Sequence, residues 1–476
     1  MEEMNGSKFK IIYTDWFIQN GERKPFGNGI HPAIKNFIQH IYKNNLNIDF
    51  YKILQYGEGE KGIKFDHSEL INYFNRNFPN NIISLNQISN DNDFIYIYPL
   101  EIKDTLGALN NHNGFELNGE THKWYLRDII PADLIEYIKT GKVKILISLM
   151  HDPLYDDYNI RQFELQMNKL GIDGSNIIFL GGSNFQEYYE KHTESKVKIY
   201  NGHLFIKGYA DMMKSFPTIG NLGYMCELVE ETDLNENKIR PHKFLCNNKT
   251  MTKEHRASMA YFAIKYNLLI DGKFSFIQKI DKNILHSHIS KLIEKPNQEY
   301  IKKIESILPY ELDTHKLSQL EKTNFGATNN KKDWYSETYV NLVTETFFGR
   351  NVFLSEKIFK PLSNLQPFVV LGDYGTLREL KRLGFKTFEP FINESYDLEI
   401  DPKARISKIE KEIEKLKNKS IEEIHEWYYS IKDILLHNQK HMYSFESYEC
   451  FEEIFEKIKL DYEKQTTWNL QEKKLL

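Results

Sequence analysis

Cysteine is scarce in this chain. Cys226, Cys246 and Cys450 are the only 3 among 476 residues, widely spaced and without a CxxC pair. That argues against a disulfide framework and a zinc cluster, and it fits a reducing compartment. Long apolar runs are missing too. No stretch approaches the ~20 residues that a spanning helix needs, and the opening residues MEEMNGSKFKII lack the apolar core of a signal peptide. A cytosolic protein with no membrane span is expected. Nor is there an excess of positive charge: 62 Lys and Arg stand against 67 Asp and Glu, a formal net charge of -5. This removes the global electrostatic case for wrapping nucleic acid and leaves only a local basic groove. Proline is sparse, 14 residues in a chain rich in Asn, Lys and Ile, a bias that resembles an AT-rich genome and carries little functional weight. No internal repeat of roughly 20–50 residues is evident.

What is present is an ordinary globular composition, 41% hydrophobic and 27% charged. At this length one core stops growing, so two domains of roughly 200 residues with an appendage are expected. Short apolar runs at 9–13 (FKIIY), 94–98 (FIYIY), 143–150 (VKILISLM) and 177–180 (IIFL) read as strands, with helical patterns at 33–42 and 160–170 between them. Such alternation predicts a mostly parallel sheet covered by helices, Rossmann-like but without a GxGxxG fingerprint.

A second start follows Arg240. A strand is expected at 243–246, then a helix over 253–268 whose Met259, Phe262, Ala263 and Tyr266 share one apolar face, then a strand at 273–278. The pattern weakens over 283–333, apart from a helical stretch at 300–308. Strands return at 340–345, 367–371 and 385–388. From Asp401 onward Ile406, Ile409, Ile413 and Leu416 form a helical stripe, followed by helical patterns at 421–439 and 448–462. The expected division is 1–238, 239–400 and 401–476, the last a solvated helical extension.

Two strand-to-helix junctions concentrate chemistry-bearing residues. Asn247, Lys249, His255 and Arg256 lie in one; in the other, Glu345 ends a strand, Ser355 is a good N-cap, and Glu356 and Lys357 fall in the first helical turn. A helix start presents free N–H groups, and a lysine or arginine there favours an anion. In an open α/β sheet, ligands bind beyond the carboxyl ends of the strands, so two such junctions can converge on one crevice. Arg256 and Lys357 would then neutralise a diphosphate, while a carboxylate would bind ribose hydroxyls.

The segments Thr344-Glu345-Thr346, Phe353-Leu354-Ser355-Glu356-Lys357 and Pro367-Phe368-Val369-Val370-Leu371-Gly372 resemble the donor-binding block of alpha-1,3-fucosyltransferases in order and spacing. Phe244-Leu245-Cys246-Asn247-Asn248 with Arg256 is similar to the strand, asparagine and arginine element of that family. Blocks such as Glu356-Lys357 with Lys360-Pro361, and His255-Arg256, are also similar to uncharacterised proteins of phages and large DNA viruses, which would place the chain in a host cytoplasm. The resemblance implies an α/β, GT-B-like fold of two Rossmann-like domains with a C-terminal helical extension. It implies a hexosyl- or deoxyhexosyl-transferase that moves a sugar from a nucleotide diphosphate sugar, GDP-sugar before UDP-sugar, to a glycan or other hydroxyl acceptor, inverting and without a metal or other cofactor.

Carried residue by residue, Arg256 and Lys357 would contact the diphosphate, Glu356 the ribose and Glu345 the sugar or its surroundings; Asn247, His255 and Lys360, which lie in the same two junctions, are expected on the donor side with them. The chain departs from the family where Thr346-Phe347 replaces Asn-Ser, and His255 has no clear counterpart. An inverting transfer needs a base for the acceptor hydroxyl. His151 and Asp152, after the strand at 143–150, are the candidates, with Asp15 behind them. Asp91-Asn92-Asp93 matches a metal-binding DxD pattern but precedes a strand rather than following one, so it reads as a turn. Two other readings stay open, a transferase acting on modified DNA bases and a non-catalytic scaffold that binds sugar or nucleotide.

Overall fold

The computed structural model describes residues 94–101, 132–149, 157–182, 193–202, 228–277, 280–310, 332–349, 351–445 and 454–461. It also describes the pieces 9–12, 82–83, 115–117 and 120–122, and the single positions 88, 189, 206, 209, 210 and 312. His151, Asp152, Asp15, the Asp91-Asn92-Asp93 pattern and the helix expected at 33–42 lie outside these residues. The chain divides into two compact units, Met1–Leu204 with Glu446–Leu476, and Phe205–Phe445. Both are α/β with parallel sheets.

The first unit holds strands β1 (Phe9–Ile12), β2 (Ile82–Ile83) and β3 (Ile95–Glu101), a small antiparallel pair β4 (Phe115–Leu117) and β5 (Glu120–His122), helix α1 (Ala132–Lys139), β6 (Val143–Leu149), α2 (Asp157–Lys169), β7 (Ile177–Gly181) and β8 (Lys198–Asn201). Six strands form one sheet in the order β2-β1-β3-β6-β7-β8, every neighbour parallel. The near-continuous apolar runs explain this arrangement, because a parallel sheet is covered on both faces and needs no polar alternation. Ile145, Leu146 and Ile147 are all fully buried, and Phe163 of α2 meets Phe179 of β7 edge to face at 5.8 Å. After α2 the chain turns at Gly171, whose φ of +80° suits a residue without Cβ, and Ile172 N–H returns to Met167 O.

The second unit runs β9 (His242–Asn248), α3 (Glu254–Lys265), β10 (Gly272–Phe276), α4 (Lys282–Leu292), α5 (Gln298–Ile307), α6 (Lys332–Ser336), β11 (Thr338–Thr344), α7 (Glu356–Ser363), β12 (Phe368–Leu371), α8 (Thr376–Arg382), α9 (Pro402–Asn418), α10 (Ile421–Ser430) and α11 (Lys432–Ser444). Its parallel sheet has the order β10-β9-β11-β12. From β9 the chain steps outward to β10, then returns to the other side of β9 as β11. The winding therefore reverses between β9 and β11. Leu245 pairs with Asn341 and Leu371 with Thr344, so β9, β11 and β12 end level on one edge.

Three expectations need correction. Helix α3 is buried nearly all round, not on one face, because α4 and α5 cover the side away from the sheet. Tyr261 shows this contact: its ring meets Tyr300 at 5.6 Å, and its hydroxyl accepts from Asn297 N–H. Residues 385–388 form no strand, since side chains and local turns take their backbone groups: Lys386 N–H donates to Asn438 Oδ1, Asn438 Nδ2 donates to Lys386 O, Phe388 N–H donates to Glu394, and Phe385 N–H donates back to Leu380 O. Helices α9 to α11 are not a separate extension packing across the domains but belong to the second unit. Trp427 stacks on Phe391 at 3.8 Å, and Tyr428 donates to Leu365 O while accepting from buried Arg240. Helical residues 454–461 belong to the first unit, where Tyr200 donates to Asp461. Among the described residues no helix is long and apolar enough to cross a membrane.

Candidate functional site

Loop and helix residues beyond the level edge of β9, β11 and β12 form the site. At the end of β9, Asn248 Nδ2 donates to Arg256 O at 3.3 Å, tying the strand to the first turn of α3. His255 is 1% exposed, and burial pushes its imidazole down to about 3. The ring is therefore neutral, and its Nε2 donates to Glu345 O at 2.8 Å. It also stacks on Phe348 with centroids 5.4 Å apart. Arg256 reaches the same carbonyl through Nη2 at 3.1 Å and Thr250 Oγ1 through Nη1 at 3.1 Å. Three buried polar atoms here, Asn247 Oδ1, Asn248 Oδ1 and Arg256 Nε, have no hydrogen-bond partner among the described residues. Buried polar atoms are nearly always paired, which sets these two acceptors and one donor apart. Cys246 in β9 is no nucleophile, since burial pushes its thiol up to about 12.

At the end of β11, Glu345 is 1% exposed and its carboxylate is fully engaged within the loop. Oε2 accepts from Thr346 N–H at 2.9 Å and from Ser355 Oγ at 2.5 Å, and Oε1 accepts from Ser355 N–H at 3.3 Å. Burial raises this carboxyl, tempered by the charge of Lys357. Ser355 caps α7 by accepting from Lys357 N–H. Lys357 Nζ donates to Glu356 at 2.6 Å, Thr346 Oγ1 at 3.2 Å and Ser355 Oγ at 3.3 Å. Burial works to raise the Glu356 carboxyl, but the charges of Lys357 and Lys360 outweigh it and hold the group below its ordinary value. Arg256 feels the charges of Glu345 and Glu356, so the two junctions share one electrostatic field.

The connection from β11 to α7 is clamped on its far side. Arg405 of α9 donates through Nη2 to Phe348 O at 3.1 Å and Gly349 O at 2.9 Å, and its guanidinium lies 4.4 Å from the centre of the Phe348 ring. Gly349 N–H donates to the Asp373 carboxylate, and Tyr374 N–H donates to Gly349 O. Lys253 sits over the Phe347 ring at 4.9 Å. The connection is thus held between α3 and the Asp373 and Arg405 pair.

No protein-family model matches the chain, and no curated protein matches it. Among solved structures it is similar to an alpha,alpha-trehalose-phosphate synthase (UDP-forming) from Burkholderia vietnamiensis, with 13% identity and a TM-score of 0.30, over 66% of this chain and 69% of that one. It is also similar to an alpha,alpha-trehalose 6-phosphate synthase from Burkholderia multivorans, with 12% identity and a TM-score of 0.33, over 78% of this chain and 72% of that one. At these scores neither likeness bears on the site, whose reading rests on the geometry.

Of the residues singled out in the sequence, Asn247, His255, Arg256, Glu345, Glu356 and Lys357 gather on the carboxyl edge of the second sheet. Lys360 lies in the last turn of α7, and Lys249 is exposed. Asp373 and Arg405 were missed. Asp373 had a usable signal, since only Gly372 separates it from the apolar strand; Arg405, inside a charged helix, had none.

Proposed function

We propose that the second unit binds the diphosphate of a nucleotide sugar and that the protein is a metal-independent, inverting glycosyltransferase of the two-domain GT-B kind. The reading is carried by the meeting of two cationic helix starts, Arg256 on α3 and Lys357 on α7, where the winding of the sheet reverses. Such a reversal opens a crevice at the carboxyl ends of the strands. Breaking a glycosyl phosphate bond leaves negative charge on the departing nucleoside diphosphate. Fixed cations and helix N–H groups stabilise that charge without reorganising during the reaction. Arg256 Nε suits a phosphate oxygen, and the unpartnered Asn247 and Asn248 oxygens suit a ribose hydroxyl or a base N–H. The ordered resemblance to fucosyltransferases favours a GDP-sugar over a UDP-sugar and a hexose or deoxyhexose as cargo. His151 and Asp152, which follow β6, are the candidates for the base.

The test is calorimetric titration with GDP and UDP in excess chelator, because the reading calls for no divalent cation. Replacing a charged hydrogen-bond donor removes roughly 1.5–3 kcal/mol, so Arg256→Ala and Lys357→Ala are each expected to weaken diphosphate binding by roughly tenfold or more. Unchanged affinity in both variants would overturn the assignment.

A further inference from the structure

Glu345 uses every polar atom it has. Its N–H donates to Leu371 O of β12 at 3.0 Å. Its carbonyl accepts from His255 and Arg256 at the start of α3, and its carboxylate accepts from its neighbour Thr346 and from Ser355 at the start of α7. One residue therefore ties together the end of a strand and both cationic helix starts. With three donors already on its two oxygens and 1% of the residue exposed, the carboxylate is poorly placed to read a sugar hydroxyl.

His255 explains how the other half of the tie is made. A charged side chain buried there would bring a large desolvation cost, whereas a neutral imidazole donates one hydrogen bond to Glu345 O and offers a flat face to Phe348. Ser355 relays the carboxylate half: its hydroxyl donates to Glu345 Oε2 and accepts from Lys357 N–H and Nζ. Moving the Glu345 carboxylate would move the cap of α7 and Lys357 with it.

We infer that Glu345 is a positioning residue, holding Arg256 and Lys357 at the separation a diphosphate needs, rather than a contact to the transferred sugar. The inference rests on the donor-site reading above. It makes Ser355 and His255 the two arms through which Glu345 acts.

The test compares Glu345→Gln with the unmodified full chain by calorimetry, using GDP, UDP, GDP-fucose and UDP-glucose as probes. Gln keeps the volume but offers an N–H where one of the donors now points. Expected is a similar loss, roughly tenfold, for the diphosphate and its sugar conjugate, since the phosphates bear the effect. The loss is also expected to vanish in a Lys357→Ala background, because the substitution touches only the carboxylate arm, which acts through Ser355 on Lys357. A loss confined to the sugar conjugates, no loss at all, or full additivity with Lys357→Ala would each overturn the inference. If Glu345→Gln does not fold, Ser355→Ala removes the same hydrogen bond, and Ser355→Thr, which returns the hydroxyl, is expected to restore the affinity; equal affinity in the Ala and Thr variants overturns the inference. Arg256→Ala and Lys357→Ala together separate the two failures. If both leave GDP and UDP binding intact, the donor site itself is wrong; if they weaken binding while Glu345→Gln does not, only the positioning role falls.

Discussion

Asp373 holds its loop with a carboxyl that burial lifts from 3.8 to about 7, against the opposing pull of Gly349 N–H and Arg405. Between those values the folded protein keeps a proton that the unfolded chain has released. The group therefore favours the fold at acid pH, and that contribution is lost as pH rises from about 4 to 7. His255 acts in the opposite sense: its folded value of about 3 lies below the ordinary 6.5, so it costs stability as pH falls from 6.5 towards 3. Asp373→Asn keeps the acceptor for Gly349 N–H but cannot ionise. Relative to the parent, this variant is expected to gain on the order of 1–4 kcal/mol between pH 4 and pH 8, read from denaturation midpoints at each pH. A difference between the two proteins that stays flat with pH would refute it. Ser355, Glu356 and Lys357 were legible as a helix start because capping acts over three residues. The role of His255 was not, since its acceptor lies 90 residues away in the chain.

Secondary-structure elements were legible where their pattern was long or their caps local. The strands at β3, β6, β7, β9, β11 and β12 and the helix starts at Asp401 and Ser355 follow from apolar runs and N-cap residues. Short segments were not. Residues 385–388 carry the apolar character of a strand, but among the described residues no strand pairs with them. Asn438 of α11 stands in for one by giving Lys386 both an acceptor and a donor at 2.8 Å. Asn438→Ala would leave two main-chain groups of Lys386 without their partner, so a loss of about 1–3 kcal/mol is expected in chemical denaturation of the full chain. A change within about 0.5 kcal/mol, the usual size for surface substitutions, would show that water replaces the amide. The same locality explains why α3 read as one-sided: periodicity marks which positions face the sheet but says nothing of α4 and α5, which bury the rest.

At the scale of the whole molecule, the sequence leads to a division after 238 and after 400, while the compact units meet at 204–205 and 445–446. Helices α9 to α11 lie within the second unit and supply Arg405, Trp427 and Tyr428 to its interior. A chain ending at residue 400 would leave Phe348, Leu365 and Phe391 without those partners and strip Arg240 of its Tyr428 hydroxyl. It is expected to lose the cooperative thermal transition of the second unit, followed by near-ultraviolet circular dichroism; a retained sharp transition would make these helices dispensable. The α/β class, most strands, the caps and the charged residues at the two helix starts were readable from the chain alone, because period, propensity and capping act within a few residues. The reversal between β9 and β11, the tie through Glu345 and the Asp373 and Arg405 clamp required the folded protein. Each depends on segments tens of residues apart, and strand order and burial, unlike periodicity, have no local signature.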